Sequence, residues 1–185
     1  MQVPIPSPDS RHVLLCVCGG IAAYKSAELV RRLRDAGCEV TVAMTENAQR
    51  FVGAQTFQAL SHRPVRTSLW DAQAEAAMGH LELARWAQQV VIAPATANTI
   101  AKLAHGLADD LVSTLCLATT APVTIAPAMN HVMWRHPATR ANIETLRSRG
   151  VQVIGPNDGP LAEGESGPGR MAEPEEIVAA LRGTA

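Results

Sequence analysis

The chain reads as an α/β protein, a parallel sheet with helices on both faces, and three observations predict this three-layer sandwich. Short apolar runs rich in β-branched residues, at 12–18, 38–44, 90–94 and 122–126, are nearly continuous rather than alternating, as strands buried on both faces are. Segments with helical periodicity separate them. Hydrophobic residues make up 47% of the chain but aromatics only 3%, so the core is built from Val, Leu, Ile and Ala, which let helices pack closely on such a sheet. A length of 185 residues suits one domain and is marginal for two.

The elements follow in order. Residues 12–18 form a strand, Gly19 and Gly20 the turn, and 21–36 a helix. Its inner face is Ala22, Ser26, Leu29, Val30 and Leu33, with Arg31, Arg32 and Arg34 outward. Gly37 ends it, and 38–44 completes a right-handed βαβ unit. Residues 46–60 read as one helix with Ala48, Phe51, Val52, Phe57 and Leu60 as its apolar positions. Residues 63–70 read as a short strand and turn, and 71–79 as an exposed loop or loose helix. A short amphipathic segment at 78–87 precedes the central strand, which Pro94 ends by removing a ladder donor. The next helix has Ile100, Leu103, Ala104 and Leu107 as apolar positions and Thr96, Asn98 or Thr99 as its cap.

Residues 109–118 form a helix with acidic residues at its start, as the helix dipole favours. A strand at 122–126 is cut by Pro127, a helix spans 137–150, and 151–154 is the last strand. Residues 155–170 hold five Gly and three Pro without periodicity, the mark of a functional flap or a disordered segment. Pro174 opens a closing amphipathic helix over 173–181.

Net charge is −1 with signs interspersed, which gives neither a nucleic-acid stripe nor a basic amphipathic membrane helix. The longest apolar runs are too short to span a bilayer. Residues 1–11 lack the apolar core of a signal peptide and read as a loose tail before a single cytoplasmic domain at 12–185. The four cysteines lie in or beside apolar runs without a CxxC pair and read as buried, reduced thiols. The six histidines show no ligand spacing, so no metal is expected.

Two strand ends carry candidate chemistry. Ala95-Thr-Ala-Asn-Thr99 lies between a buried strand and a helix N-terminus, where α/β sheets take anionic or polar ligands; an ordinary capped loop has the same composition. Gly19 and Gly20 let backbone N–H groups approach a phosphate or a flat ring. The turn is not GxGxxG, and strand two ends in Met44-Thr45 without an acid for a dinucleotide ribose. That argues against NAD and leaves a mononucleotide, with the Thr45 hydroxyl available to a phosphate; a plain βα turn is the alternative. His80, directly after Gly79, needs a positioned partner before it can do chemistry.

Taken together, several segments resemble one family. They are Gly19-Gly-Ile-Ala-Ala-Tyr-Lys25, Gly79-His-Leu-Glu-Leu-Ala-Arg-Trp-Ala87, Ala93-Pro-Ala-Thr-Ala-Asn-Thr99, Pro127-Ala-Met-Asn-His-Val-Met-Trp134 and Gly159-Pro-Leu-Ala-Glu-Gly-Glu-Ser-Gly-Pro-Gly-Arg-Met171. They are similar to the flavin-containing cysteine decarboxylases that include phosphopantothenoylcysteine decarboxylase, as found in the N-terminal half of bacterial bifunctional coenzyme A biosynthesis proteins. The resemblance covers residues 11–181; Pro-Ala-Met-Asn and Gly-Pro-Gly-Arg-Met are its specific elements, and flavin prenyltransferases share the fold but lack the former.

It implies a Rossmann-like, flavodoxin-like sandwich with a C-terminal substrate flap at about 155–171. It implies FMN on Gly19, Gly20, Ile21, Ala22, Thr45, Thr96, Ala97, Asn98 and Thr99, an essential His80, and substrate against Asn130, Met133 and Lys25. It further implies a homo-oligomer, a trimer or a dodecamer of trimers, with the site between subunits, and a C-terminal synthetase domain from which this chain would be excised. One departure stands out: the family commonly reads Leu-Ala-Cys-Gly in the flap, with the Cys as proton donor, and here Leu161-Ala-Glu-Gly164 puts Glu163 there.

The implied reaction turns 4′-phospho-N-pantothenoylcysteine into 4′-phosphopantetheine. The thiol is oxidised to a thioaldehyde, whose C=S accepts the electrons released with CO₂; the resulting enethiol is then reduced by reduced FMN. His80 would be the base or cationic partner, Asn130 the anchor for carboxylate or amide, and Glu163 the acid once a closed flap desolvates it. A peptidyl-cysteine decarboxylase, a flavin prenyltransferase and a non-catalytic flavin-binding regulatory subunit are the alternatives.

Overall fold

The computed structural model describes residues 10–70 and 79–182. Five strands, β1 (His12–Val17), β2 (Glu39–Met44), β3 (Gln89–Ala95), β4 (Val123–Pro127) and β5 (Gln152–Val153), pair in parallel in the order β2-β1-β3-β4-β5. This is the flavodoxin-like arrangement, in which the strand order reverses between β1 and β3.

Alternation along β1 distributes its side chains to both faces. Val13, Leu15 and Val17 join one core with α1 (Ala23–Asp35) and α8 (Pro174–Arg182). Leu14 and Cys16 join the other with α3 (His80–Trp86), α4 (Ala97–His105), α5 (Leu111–Ala118) and α7 (Pro137–Ser148). The inner face of α1 is Ala23, Ser26, Leu29, Val30 and Leu33, nearly as the periodicity predicts; the helix starts at Ala23, because Ala22 serves as its N-cap.

The structure corrects the sequence reading in four places. Residues 46–60 are a 3₁₀ turn (Glu46–Arg50) capped by Thr45 and then α2 (Ala54–Ser61), because Gly53 adopts an extended N-cap conformation and restarts the helix. Phe51, left at the break, is exposed, whereas Phe57 is buried. Residues 63–70 form no strand, only a bridge from Arg66 to Ala43 at the edge of β2; the neighbouring Pro64 has no N–H to extend the pairing.

The central strand does not stop at Pro94. The Ala93–Pro94 peptide is cis, the ladder shifts register after Ile92, and pairing resumes at Ala95 with Pro127. Residues 155–170 are also not irregular: β6 (Asn157–Pro160) and β7 (Ser166–Arg170) form an antiparallel hairpin. The segment expected at 71–79 lies, except for Gly79, outside the described residues, as do residues 1–9 of the expected tail. Among the described residues no helix is long and apolar enough to cross a membrane.

Candidate active site

At the carboxyl ends of β1 and β3, where the strand order reverses, lies a cavity of about 980 Å³. Its floor is two βα connections. In the first, Gly19 is pressed against the loop after β2: a Cβ there would lie 2.5 Å from Asn47 Cβ, so only glycine lets the two loops meet. Gly20 faces Thr96, and the space a Cβ would fill is open except for Thr96 Cγ2 at 3.9 Å. Ser26, one turn into α1, ties this helix to the central strand by donating to the Ala93 carbonyl at 2.7 Å.

In the second connection Thr96 is the N-cap of α4, its Oγ1 accepting from Thr99 N–H at 3.3 Å. The two threonine hydroxyls are 3.2 Å apart, and Thr99 donates to Cys18 Sγ at 3.2 Å. Burial pushes the Cys18 thiol up to about 12, against the opposing pull of the Thr99 hydrogen bond, so it stays neutral. Thr45 caps the 3₁₀ turn by accepting from Ala48 N–H, which leaves its own O–H to donate.

Two charged clusters flank the floor. Lys25 Nζ meets Glu173 at 2.7 Å, and Arg170 reaches the same carboxylate at 3.1 Å, so two cations share one anion beside the cavity. Lys102 instead lies between Asp109 (2.8 Å) and Asp110 (2.7 Å). Burial works against its charged form, but the two carboxylates outweigh that and raise its pKa. Asp110 caps α5 through Ser113 N–H; burial would raise its pKa, but Lys102 and Ser113 hold it below the ordinary value.

The remaining wall is the one-turn helix α6 (His131–Arg135) and the hairpin lying on it. Asn130 is the N-cap of α6, with Oδ1 accepting from Val132 N–H at 2.7 Å. Its Nδ2 donates to the carboxylate of Glu163, at the tip of the hairpin. Met129 N–H donates to the Gly169 carbonyl at 3.0 Å, and a Cβ on Gly169 would stand 2.1 Å from the Met129 carbonyl oxygen. His131 Nδ1 lies 3.3 Å from Glu165, and the ligand atoms of His131, Glu163 and Glu165 fall within 4.8 Å of one another.

Of the residues singled out in the sequence, Gly19, Gly20, Ile21, Ala22, Lys25, Thr45, Thr96, Ala97, Asn98, Thr99, Asn130, Met133 and Glu163 all line this one cavity. His80 does not: it opens α3, whose Leu83 and Ala84 belong to the core on the α5 side of the sheet. Sequence reasoning missed Asn47, Lys102, Asp109 and Asp110. Lys102 was within reach, since it lies one helical turn beyond Thr99 on the same face.

A ligand cavity at the switch point of a 2-1-3-4-5 parallel sheet, floored by a glycine turn and a threonine-capped helix, defines an α/β mononucleotide-type binding protein. The chain belongs to the Flavoprotein family, which it matches over residues 6–185. It is 56% identical over 168 residues to the coenzyme A biosynthesis bifunctional protein CoaBC of Escherichia coli K12, covering 91% of this chain and 41% of that protein. To CoaBC of Bacillus subtilis it is 51% identical over 170 residues, 92% of this chain and 42% of the relative. The chain thus spans about two fifths of the length of these curated relatives.

Among solved structures, a PPC decarboxylase with a cysteine-to-serine substitution, complexed with pantothenoylaminoethenethiol, superposes with a TM-score of 0.81 at 32% identity, covering 95% of this chain and 98% of that one. The FMN-dependent cysteine decarboxylase SpaF gives a TM-score of 0.79 at 30% identity, covering 96% and 98%.

Proposed function

We propose that this chain is an FMN-dependent phosphopantothenoylcysteine decarboxylase of coenzyme A biosynthesis, acting in the cytoplasm on 4′-phospho-N-pantothenoylcysteine. The observation that carries this reading is convergence. The floor formed by Gly19–Ala22, Thr45 and Thr96–Thr99 and the wall formed by Asn130, Met133 and Glu163 enclose one cavity, so a flavin and a thiol substrate would meet there. The floor fits FMN: it pairs a close-approach glycine turn with donor hydroxyls at a helix N-terminus, and the space beside Gly20 admits a flat ring. When bound, FMN supplies a two-electron acceptor and donor.

The chain's own residues supply position and charge. Asn130, held by its capping bond, presents an amide N–H to the substrate carboxylate. The cations Lys25 and Arg170, which share Glu173 beside the cavity, would meet the substrate phosphate. By the resemblance in the flap, Glu163 would stand in for the family's cysteine acid and deliver the proton in the second half of the reaction. His80 of one copy would complete the site of a neighbouring copy in a trimer, or in a dodecamer of trimers. The exposure of Ile21, Tyr24, Val132 and Met133, three of them on the cavity lining, supports an apolar subunit contact at the mouth. A C-terminal synthetase domain, as in a bifunctional protein, would follow.

Identities of 51–56% to CoaBC over nearly the whole chain favour the pantothenoyl substrate over the peptide, prenyl-transfer and regulatory readings. The test is an absorption spectrum followed by mass-resolved incubation with phosphopantothenoylcysteine. A yellow protein that releases CO₂ is expected; a colourless or CO₂-silent preparation overturns the reading. Accumulation of an enethiol two mass units below phosphopantetheine would remove Glu163 from the acid's role, and Glu163→Cys should then speed turnover.

A further inference from the structure

The flap already carries a carboxylate to the group that the substrate carboxylate would need. Asn130 is oriented by its own helix: with Oδ1 accepting from Val132 N–H, the amide cannot flip without losing the cap, so Nδ2 is the edge it presents outward. Glu163 is the group on that edge.

Its placement is built into the hairpin. Gly164 N–H donates to the Leu161 carbonyl at 3.0 Å, closing a tight turn with Gly164 at φ +88°, where glycine is favoured, and Glu163 inside it. Below the turn, Leu161 N–H donates to the Glu165 carbonyl at 2.7 Å, and the stem is fixed on α6 by Met129–Gly169 and by the Glu165 carboxylate on His131. A carboxylate on a braced turn, meeting a pre-oriented amide, is the pairing a substrate carboxylate would make at the same atom. Two ionised carboxylates at one amide repel, so the two compete.

We propose that Glu163 is an internal stand-in for the substrate carboxylate. It holds the flap tip on Asn130, yields that donor to a ligand bearing a carboxylate, and retakes it as a carboxylate only after the substrate carboxylate has left as CO₂ and any proton Glu163 carries has been delivered. Flap release is thereby tied to the one group that distinguishes substrate from product. The inference rests on the decarboxylase reading, since it takes Asn130 to be the substrate carboxylate's partner.

Calorimetric titration of the FMN-loaded protein with two redox-inert ligands tests it. One is 4′-phospho-N-pantothenoylserine, which keeps the carboxylate; the other is its decarboxylated ethanolamine counterpart. Glu163→Ala is expected to tighten the serine ligand about tenfold, the scale of one charge-assisted hydrogen bond, and to leave the ethanolamine ligand within about twofold. Glu163→Gln, which keeps the flap contact but loses the charge, should shift affinity in the same direction by less. Adding Asn130→Ala should erase the gain. Weaker serine binding in Glu163→Ala, or equal tightening of both ligands, overturns the inference while leaving the decarboxylase reading intact. If neither ligand binds the unsubstituted protein, that reading falls, and the inference with it.

Discussion

The β3–α4 connection and the hairpin line the same cavity but are held there in different ways. In the connection, Thr99 and Ile100 are buried, Thr99 donates to the buried Cys18 thiol, and the half-buried Thr96 hydroxyl lies beside it at the cavity. In the hairpin, residues 162–166 are exposed, and the strands carry Asn, Asp, Gly, Pro, Ser and Arg with little apolar area to bury. Its position depends on glycines that permit close approach and on a few polar contacts to α6. A floor shaped by burial stays put when its ligand leaves. A roof held by contacts of small individual strength can open at low cost, which is where moving elements are drawn from.

Substitutions should separate the two. The largest effect is expected from Asn130→Ala, which removes the outward N–H: CO₂ release measured as kcat/KM should fall at least about a hundredfold. Loss of the cap should cost about 1 kcal/mol, a Tm shift of about 2–4 °C. Gly169→Ala comes next, since its Cβ cannot share space with the Met129 carbonyl and the flap must lift. Turnover should drop by about tenfold or more, through lost positioning, while flavin absorbance and Tm change little. A fall in Tm as large as that from a core truncation would show that the hairpin belongs to the core, erasing the contrast.

Thr99→Val tests the floor. It keeps the shape but removes the hydroxyl from Cys18 and Thr96, so the expected cost is about 1 kcal/mol in a thermal melt, accompanied by weaker FMN binding in a fluorescence titration. Proteolytic nicking at the hairpin should be unchanged. The smallest effect is electrostatic. The Asp110 carboxyl is held below its ordinary 3.8 in the folded chain, so its contribution to stability is present above about pH 4 and is lost as pH falls through the folded value. Asp110→Asn should therefore lower Tm slightly at neutral pH and narrow the gap in Tm between neutral and acidic buffer.

The same contrast explains what could be read in the sequence. Strands β1 to β4 were legible because burial on both faces leaves an uninterrupted apolar run, and the floor was legible because capping residues sit next to those runs. Pro94 misled because a register shift lets the ladder resume at Ala95, and a residue without a donor then ends nothing. The break at Gly53 was hidden because Phe51 and Val52 continue the apolar pattern across it. The hairpin was illegible because its residues have poor strand propensity and are paired by tertiary support, with Gly159 opposite Gly167. The contact between Asn130 and Glu163 spans 33 positions and depends on that pairing, so no local signal announces it.

The cap on α6 has one more consequence. Many side chains can begin a helix, and aspartate at position 130 would accept the Val132 N–H as well as asparagine does. It would nevertheless turn an oxygen outward where asparagine turns a nitrogen, and meet any approaching acid with repulsion. The fold is therefore indifferent to the exchange of a single atom on which the polarity of that edge of the chamber turns.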